Sequence, residues 1–243
     1  MPWETLRFAE ASRTRYSRVV IDPAFASIRN WVFDLDNTLY PASSGLFAHV
    51  DARMTAFIAR LLDLDDGAAR RVQKDYFHRH GTTLAGLIAD HDVEPHAFLE
   101  DVHDIPLDAL TPDPRIADGI ARLPGRAFVY TNGDAPYANR VLERLGLGSH
   151  FAHVHDIHAC DYRPKPERHG YELLVERFDL DPAATLMVED MAKNLKPAKQ
   201  MGFTTVWVDN GSEQAVEAPD TAHVDVRITD VGDWLAGLFE DRA

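Results

Sequence analysis

The sequence predicts an α/β protein with a core of parallel strands and an all-helical cap inserted after the first strand. Short apolar runs alternate with amphipathic segments over much of the chain, and this pattern is typical of parallel sheets with right-handed crossovers. One long stretch, 47–113, has helical spacing and no convincing strand. Two apolar runs end abruptly in acids, as expected where strands deliver functional groups to the edge of a sheet.

Size and composition fit this architecture. The chain has 243 residues, of which 45% are hydrophobic and 26% are charged, and these are ordinary values for a globular core with a small insert. No apolar run approaches the ~20 residues that a membrane helix needs, so we expect no membrane partner. The net charge of -14 disfavours a nucleic-acid partner, because the phosphate backbone is repelled.

The N-terminal segment and the cysteine content bear on the compartment. The single cysteine, Cys160, excludes an internal disulfide and is typical of a reducing environment. Several arginines near the N-terminus suggest a transit peptide, but Glu4 and Glu10 lie among them, and transit segments are poor in acids. We therefore expect a cytoplasmic protein whose residues 1–30 form an extension beside the core.

The predicted elements up to residue 113 are one strand and four helices. Apolar residues at helical spacing begin at Phe47, and Gly81 closes a second helix that Asp65 or Asp66 caps. The predicted elements are a strand at 31–33 and helices at 47–62, from Asp65 or Asp66 to about His80, at 83–91 and at 95–103. Prolines then interrupt the chain.

Alternation of strand and helix resumes after the insert. The predicted strands are 127–130, 153–157, 186–188, 204–208 and 224–228, and the predicted helices are 136–145, 167–178, 195–201 and 231–239. The predicted domains are an N-terminal extension (1–30), a core (31–46 and 114–243) and a helical cap (47–113). An insert at this point lies over the ligand-binding edge of an open sheet and can act as a lid.

The first strand ends in two aspartates one residue apart. The carboxylate of Asp34 can attack phosphorus and form an aspartyl-phosphate. Asp36 can protonate the leaving alkoxide and then deprotonate the attacking water. The two carboxylates repel each other unless a cation lies between them, and hard oxygen ligands favour Mg²⁺. A helix cap, chance and a calcium loop are the alternatives, although Leu39 stands where the calcium loop requires glycine.

Thr131 and Asn132 directly follow the predicted 127–130 strand. A hydroxyl and backbone N–H groups at a strand-to-helix turn can bind a phosphate, especially near a helix N-terminus. Asn132 and Gly133 also form a common turn dipeptide, so a plain turn is the alternative.

Lys165 lies between Pro164 and Pro166, just before a predicted helix. The prolines restrict the backbone, so the ammonium group can be aimed at phosphoryl oxygens and can offset the charge of Asp34. Arg163 is a second candidate for positive charge. An ordinary loop with a helix-starting Pro166 is the alternative.

The strand predicted at 186–188 ends in Glu189 and Asp190. Asp190 is the predicted direct ligand of Mg²⁺. Glu189 is expected either to support the site or to pair with Lys193 at helical spacing. Asn194 is a weaker ligand than an acid but can hold a water. The alternative is an acidic helix N-terminus that the helix dipole favours.

These four segments resemble, in the same order, the motifs of the haloacid dehalogenase superfamily in its phosphatase branch. The strings FDLDNTLYP (33–41), YRPKP (162–166) and EDMAKNLKPAK (189–199) look like the pyrimidine 5'-nucleotidase branch, which removes phosphate from pyrimidine mononucleotides. The resemblance spans 31–208 and implies a Rossmann-like core. Many relatives have a second acid four residues after the Asp190 position, where this chain has Asn194.

The resemblance implies a role for each residue. The catalytic residues are Asp34, Asp36 and Lys165; the phosphate-binding residues are Thr131, Asn132 and Lys165; the Mg²⁺ ligands are Asp34, Asp36 and Asp190; and Glu189, Asn194 and Thr38 support the metal. Mg²⁺ is the expected cofactor.

Among the reactions of this superfamily, phosphoryl transfer fits best. A dehalogenase expels halide, which needs neither a proton nor a metal, so it has no use for Asp36. A kinase is disfavoured because no G-x-x-x-x-G-K stretch is present. We therefore expect a magnesium-dependent phosphatase for a small phosphorylated substrate, preferably a nucleoside monophosphate, acting as a monomer or homodimer. A broad-specificity, phosphoglycolate or sugar-phosphate phosphatase and a catalytically silent binding or regulatory relative are the alternatives.

Substrate choice is expected to lie in the insert, whose polar and aromatic residues can stack on a base or bond to it. Aromatic residues at helical spacing belong more often to a core. The candidates are Phe47, His49, Arg53, Phe57, Tyr76, Phe77 and His80.

Overall fold

The computed structural model describes residues 20–212 and 220–240, so most of the predicted N-terminal extension lies outside the described residues. The strands are β1 (Val20–Ile21), β2 (Asn30–Phe33), β3 (Arg126–Tyr130), β4 (His153–His155), β5 (Thr185–Glu189), β6 (Thr204–Val208), β7 (Val226–Ile228) and β8 (Phe239–Glu240). The helices are α1 (Leu46–Leu62), α2 (Asp66–His80), α3 (Thr83–His91), α4 (Pro95–His103), α5 (Pro114–Arg122), α6 (Ala135–Arg144), α7 (Arg168–Phe178), α8 (Ala192–Met201) and α9 (Val231–Gly237). None of these described helices is both long enough and apolar enough to span a membrane.

Within the described ranges, β2 to β7 form a six-stranded sheet in the order β4-β3-β2-β5-β6-β7, and each neighbouring pair is parallel. β2 lies near the centre, where Phe33 is paired with Val129 on one side and Val188 on the other. The predicted α/β fold with a Rossmann-like parallel sheet is confirmed. Because the strands are parallel, their carboxyl ends meet at one edge of the sheet.

Helices cover both faces of the sheet. Successive side chains of a strand point to opposite faces. Trp31 and Phe33 accordingly pack in one cluster with residues of α5, α6 and α9, and Val32 packs in another with residues of α7 and α8. Burial on both faces accounts for the unbroken apolar run of β2, since neither side of the strand meets water.

The helical insert follows β2, and helices α1 to α4 share a hydrophobic cluster of their own. The side chains of Asp65 and Thr82 accept backbone N–H bonds at the starts of α2 and α3. Gly81 ends α2 with a φ of 84°, a conformation that favours glycine. Ile157 of the sheet region packs into this cluster. The helical content agrees with the sequence, and the core and cap boundaries at 47 and 113 stay predictions.

The ends of the described chain differ most from the predicted elements. β1 and β8 pair antiparallel, with Ile21 opposite Phe239, where the sequence indicated only an extension and a helix at 231–239. That helix, α9, ends at Gly237.

Helix α5 was not predicted, because its two large apolar residues, Ile116 and Ile120, are too few to define a period.

Candidate active site

Three of the predicted site residues lie at the carboxyl edge of the sheet, each directly after a strand. Asp34 follows β2, and its N–H donates to the carbonyl of Val188 at 2.9 Å. Thr131 follows β3 and Asp190 follows β5. All three side chains are buried. The strand order β3-β2-β5 therefore places side chains from distant parts of the sequence at adjacent positions.

Lys165 connects these strand ends. Its ammonium group donates to Asp34 Oδ1 at 2.6 Å, to Glu189 Oε2 at 2.6 Å and to the carbonyl of Tyr130 at 3.0 Å. The Lys165 side chain is 2% exposed and that of Glu189 is 1% exposed. All three protons of the ammonium group thus have acceptors, and the lysine is fixed beside Asp34.

Asn132 holds the backbone of Lys165. Its Oδ1 accepts the Lys165 N–H at 2.8 Å, and its Nδ2 donates to the Lys165 carbonyl at 3.4 Å. This side chain was predicted to bind phosphate, and that role stays a prediction. In the structure, its amide positions the loop that carries Lys165.

Three acids form a candidate metal centre. Among the described residues, Asp34, Glu189 and Asp190 each offer a carboxylate oxygen, and these oxygens lie within 4.8 Å of one another. Lys165 supplies one positive charge against these three carboxylates. A divalent cation would neutralise the remainder, and hard oxygen ligands suit Mg²⁺.

Burial and mutual repulsion shift the protonation of these groups. Burial raises the pKa of Asp34 to about 7; the charges of Glu189 and Asp36 add to this shift, and Lys165 opposes it. Burial, then Glu189 and Asp34, raises the pKa of Asp190 well above its ordinary range. Burial alone lowers the pKa of Lys165, but Asp34 and Glu189 outweigh burial and raise it. The ammonium group of Lys165 therefore stays charged. For Asp34 and Asp190, the nearby positive charge is too small to offset burial and repulsion, so the pKa of each rises.

Two oxygen atoms beside these acids have no hydrogen-bond partner among the residues that the structure describes. Asp190 Oδ2 and Asn194 Oδ1 are buried and unpartnered. A buried polar atom without a partner is costly unless an ion or water satisfies it. Two oxygens of this kind beside a carboxylate group fit a hard cation, with Asp34 and Asp190 as the residues that would hold it.

The residues predicted to support the metal contact its candidate ligands. Thr38 Oγ1 donates to Asp34 Oδ2 at 3.1 Å. Glu189 Oε1 accepts bonds from Asn194 Nδ2 at 3.1 Å and from the N–H of Met191 at 3.3 Å, while Glu189 Oε2 accepts from Lys165. Of the two roles considered for Glu189, support of the site agrees with these contacts.

The hydroxyl of Thr131 is placed to donate to a ligand. Its Oγ1 accepts the N–H of Gly133 at 2.9 Å, an interaction that uses a lone pair and leaves the hydroxyl proton available. The side chain is buried at the end of β3. Its phosphate-binding role stays a prediction that this geometry allows.

Asp36 lies apart from the three-acid group. Its Oδ1 accepts bonds from the hydroxyl of Tyr40 at 2.5 Å and from the hydroxyl of Tyr137 at 2.8 Å. Of the described acids, the compact group contains Asp34, Glu189 and Asp190, without the side chain of Asp36. The acid–base role predicted for Asp36 does not depend on its binding the metal, and both roles stay predictions.

Comparison with known proteins assigns the family. A model of haloacid dehalogenase-like hydrolases matches residues 28–202, a range that contains the strand-end acids, Thr131 and Lys165. This chain belongs to the haloacid dehalogenase-like hydrolase family. The superfamily predicted from the four motifs is thus confirmed, and the pyrimidine 5'-nucleotidase branch stays a prediction.

Two curated relatives of this hydrolase are named for phosphate chemistry. Phosphate metabolism protein 8 of Saccharomyces cerevisiae is 26% identical over an alignment of length 192, and the match covers 70% of this chain and 58% of the yeast protein. The chain thus matches less than two thirds of the yeast protein's length. Phosphoglycolate phosphatase of Escherichia coli is 25% identical over an alignment of length 239, and the match covers 88% of this chain and 94% of that enzyme.

Solved structures of family members share the fold. The putative hydrolase YfnB of Bacillus subtilis, bound to magnesium, superposes with a TM-score of 0.56 at 14% identity, covering 87% of this chain and 98% of that chain. L-2-haloacid dehalogenase of Xanthobacter autotrophicus superposes with a TM-score of 0.53 at 21% identity, covering 86% and 97%. At identities of 14% and 21%, this likeness establishes only the fold.

Tyr40, Tyr137 and the central position of Glu189 are features that the sequence motifs did not identify. Tyr40 lies four residues after Asp36, so its proximity could have been considered. Tyr137 contacts Asp36 across 101 residues, and no local pattern indicates it. Arg163, considered as a source of positive charge, instead pairs with Glu167 and is 54% exposed.

The insert candidates have different environments in this hydrolase. Tyr76 is buried among the insert helices, where its hydroxyl bonds to His91 Nε2 at 2.7 Å. Phe57 packs edge-on against Phe98 at 5.0 Å. Phe77 instead reaches the sheet region, since its ring lies 4.6 Å from the ammonium group of Lys193. Lys193 lies in α8, three residues after Asp190, so the Phe77 ring lies near the start of the helix that follows this candidate metal ligand.

Proposed function

We propose that this hydrolase is a magnesium-dependent phosphatase that forms an aspartyl-phosphate on Asp34. The observation that carries the proposal is the buried group of Asp34, Glu189 and Asp190 around Lys165. The unpartnered oxygens of Asp190 and Asn194 suit a hard cation rather than a halide. The names of two curated relatives, which refer to phosphate metabolism and to a phosphatase, support the same reaction class.

The first half-reaction transfers the phosphoryl group to the enzyme. A carboxylate oxygen of Asp34 attacks phosphorus, and the bond between phosphorus and the ester oxygen breaks. Asp36 gives its proton to that oxygen, so the product leaves as an alcohol. Lys165 stabilises negative charge on the phosphoryl oxygens, and its position is fixed by Asn132 and Glu189.

The second half-reaction releases phosphate. Asp36, now a carboxylate, takes a proton from water as that water attacks phosphorus. The bond between phosphorus and Asp34 breaks, so inorganic phosphate leaves and both aspartates return to their starting states. When bound, Mg²⁺ supplies electrostatic stabilisation of the transferring group.

We favour a nucleoside 5'-monophosphate as the substrate. The support is the motif resemblance to pyrimidine 5'-nucleotidases, together with the contact between the Phe77 ring and the ammonium group of Lys193, since an aromatic ring near the start of α8 can stack on a base. Phosphoglycolate or a sugar phosphate is the second candidate, because the relative from Escherichia coli that matches 88% of this chain is a phosphoglycolate phosphatase.

Phosphate release from a substrate panel tests the proposal. The panel contains p-nitrophenyl phosphate, pyrimidine mononucleotides, phosphoglycolate and a sugar phosphate, each with Mg²⁺ and with EDTA. We expect release that requires Mg²⁺ and is abolished by Asp34→Asn, whereas Asp108→Asn, which changes an exposed acid, retains it. Equal release by Asp34→Asn and the wild type would remove Asp34 from the mechanism. No release from any substrate would favour a catalytically silent relative.

A further inference from the structure

Two buried phenols share one oxygen of Asp36. The hydroxyls of Tyr40 and Tyr137 donate to Asp36 Oδ1 at 2.5 and 2.8 Å. Tyr40 lies in the loop after β2, and Tyr137 lies in the first turn of α6. Both rings are buried, whereas the Asp36 side chain is only partly buried. Asp36 is therefore held by two buried residues from two different parts of the chain.

This arrangement makes the two oxygens of Asp36 unequal. A carboxylate oxygen that accepts two hydrogen bonds is stabilised as an acceptor and is a poorer place for a proton. The transferable proton is therefore directed to Oδ2. A general acid acts only when the oxygen that carries the proton lies within hydrogen-bond reach of the leaving group, so the orientation of this carboxylate decides its efficiency.

The ring of Tyr137 is itself fixed by the insert. The imidazole of His103, the last residue of α4, stacks on it with ring centroids 4.2 Å apart and an interplanar angle of 9°. His103 Nδ1 donates to Asp134 Oδ1 at 2.7 Å, and the same oxygen accepts the N–H of Tyr137 at 3.3 Å. Tyr137 is thus locked by a buried pair that joins the end of the insert to the start of α6.

We propose that Tyr40 and Tyr137 are positioning residues that orient Asp36 for proton transfer to the leaving group. This inference rests on the proposed function, because it assumes that Asp36 acts as the acid. It assigns no direct contact with the substrate to either tyrosine. Their hydroxyls act through Asp36. Removing a hydroxyl should therefore slow a reaction more when its leaving group depends more on receiving a proton.

The leaving group provides the test. p-Nitrophenolate is a good leaving group and needs little protonation, whereas an alkoxide needs a full proton. Tyr40→Phe and Tyr137→Phe remove the hydroxyls and keep the rings. The rate of leaving-group release in the first turnover is measured, at saturating Mg²⁺, for p-nitrophenyl phosphate and for the alkyl phosphate that the wild type hydrolyses fastest. First-turnover rates isolate the step in which Asp36 is the acid.

We expect each variant to lower the alkyl-to-aryl rate ratio by about 10-fold or more, since general acid catalysis contributes about 10²–10⁴-fold. Asp36→Asn sets the maximum loss of this ratio. Thr55→Val is the control, because it removes a buried hydroxyl that donates to Gln73 Oε1 within the insert, and its ratio should equal that of the wild type. The ratio is taken within one variant, so a lower folded fraction cancels.

Two results would overturn the inference, and they are distinguishable. If Tyr40→Phe and Tyr137→Phe slow both substrates by the same factor, the tyrosines have only a structural role and the proposed phosphatase function stands. If the wild type hydrolyses neither substrate in the presence of Mg²⁺, the proposed function fails and this inference fails with it.

Discussion

The ammonium group of Lys165 lies 2.6 Å from Glu189 Oε2, the same distance that separates it from Asp34 Oδ1. The lysine is thus a counter-ion for two buried acids as well as a candidate partner for phosphoryl oxygens. Breaking a buried ion pair leaves an uncompensated charge, which costs more than the loss of an exposed pair. This relationship links the proposed role of Lys165 in catalysis to the stability of the sheet edge.

Substitution Lys165→Met should destabilise the hydrolase and abolish turnover. Asp34 and Glu189 would remain buried without their cation, and we expect the free energy of unfolding to fall by about 3–5 kcal/mol. Urea unfolding in EDTA measures this change. Arg168→Met is the matched control: it removes an exposed pair with Glu172 and should cost less than about 1 kcal/mol. Similar losses in the two variants would mean that the buried pair contributes little.

Magnesium should stabilise the folded protein through the three-acid group. Binding to the folded state alone raises the unfolding free energy by about 2.7 kcal/mol at a concentration of 100 times the dissociation constant. Asp190→Asn should lose most of this increase. In EDTA, the same variant should be at least as stable as the wild type, because it removes one of three mutually repelling buried carboxylates.

Thermal unfolding with Mg²⁺ and with EDTA measures both effects, and Asp108→Asn serves as the exposed-acid control. An unchanged magnesium effect in Asp190→Asn would exclude this residue as a ligand.

His155 should make stability depend on pH below neutrality. Its side chain is buried in β4, and its Nε2 donates to the carbonyl of Gly170 at 2.9 Å. Burial lowers the pKa of His155 below its ordinary value of 6.5. As the pH falls, the imidazole of His155 is therefore protonated in the unfolded chain before it is protonated in the folded protein. The stability that this group contributes above pH 6.5 is then progressively lost. The loss from this group approaches about 1.4 kcal/mol per pH unit.

The measurement is the difference in unfolding free energy between about pH 7.5 and about pH 5.5. His155→Gln cannot take up the proton, so its difference should be smaller than that of the wild type. His78→Gln removes an exposed histidine and should preserve the wild-type difference. The same pH dependence in all three proteins would show that His155 is not responsible.

Gly125→Ala should be far more destabilising than Gly146→Ala. Both glycines have positive φ, +95° and +73°, so alanine is strained at either position. A Cβ on Gly125 would lie 2.0 Å from the carbonyl oxygen of Arg29, whereas nothing lies within 4 Å of a Cβ on Gly146. We expect Gly146→Ala to cost about 1–2 kcal/mol and Gly125→Ala to cost at least about 1–3 kcal/mol more. Denaturant unfolding of both variants gives the comparison, and equal costs would contradict the close approach.

Much of the fold and the candidate site could be predicted because the relevant signals are local. Asp34 directly follows an unbroken apolar run, and Glu189 and Asp190 together follow another; a buried parallel strand requires such a run. Lys165 was identified from the prolines that flank it. In each case, a few adjacent residues indicate both the element and the chemical group at its end.

The remaining features depend on contacts that no local pattern encodes. Tyr137 has the spacing of a core residue in α6, and its bond to Asp36 arises only because β3 lies beside β2. The pairing of β1 with β8 joins residues from the two ends of the described chain. Glu189 was ambiguous, since an acid at that spacing also suits a bond to Lys193, and only the position of Lys165 distinguishes the two.

The central pairing of β2 with β5 joins Asn30 to Thr185, residues 155 positions apart whose side chains are also in contact. Closing so long a loop is slow, because chain entropy is lost before the contacts reward it. The helices between these strands can form from nearby residues, but Asp34 meets Glu189 and Asp190 only after the two strands join. During refolding, recovery of turnover should therefore lag behind recovery of helical circular dichroism.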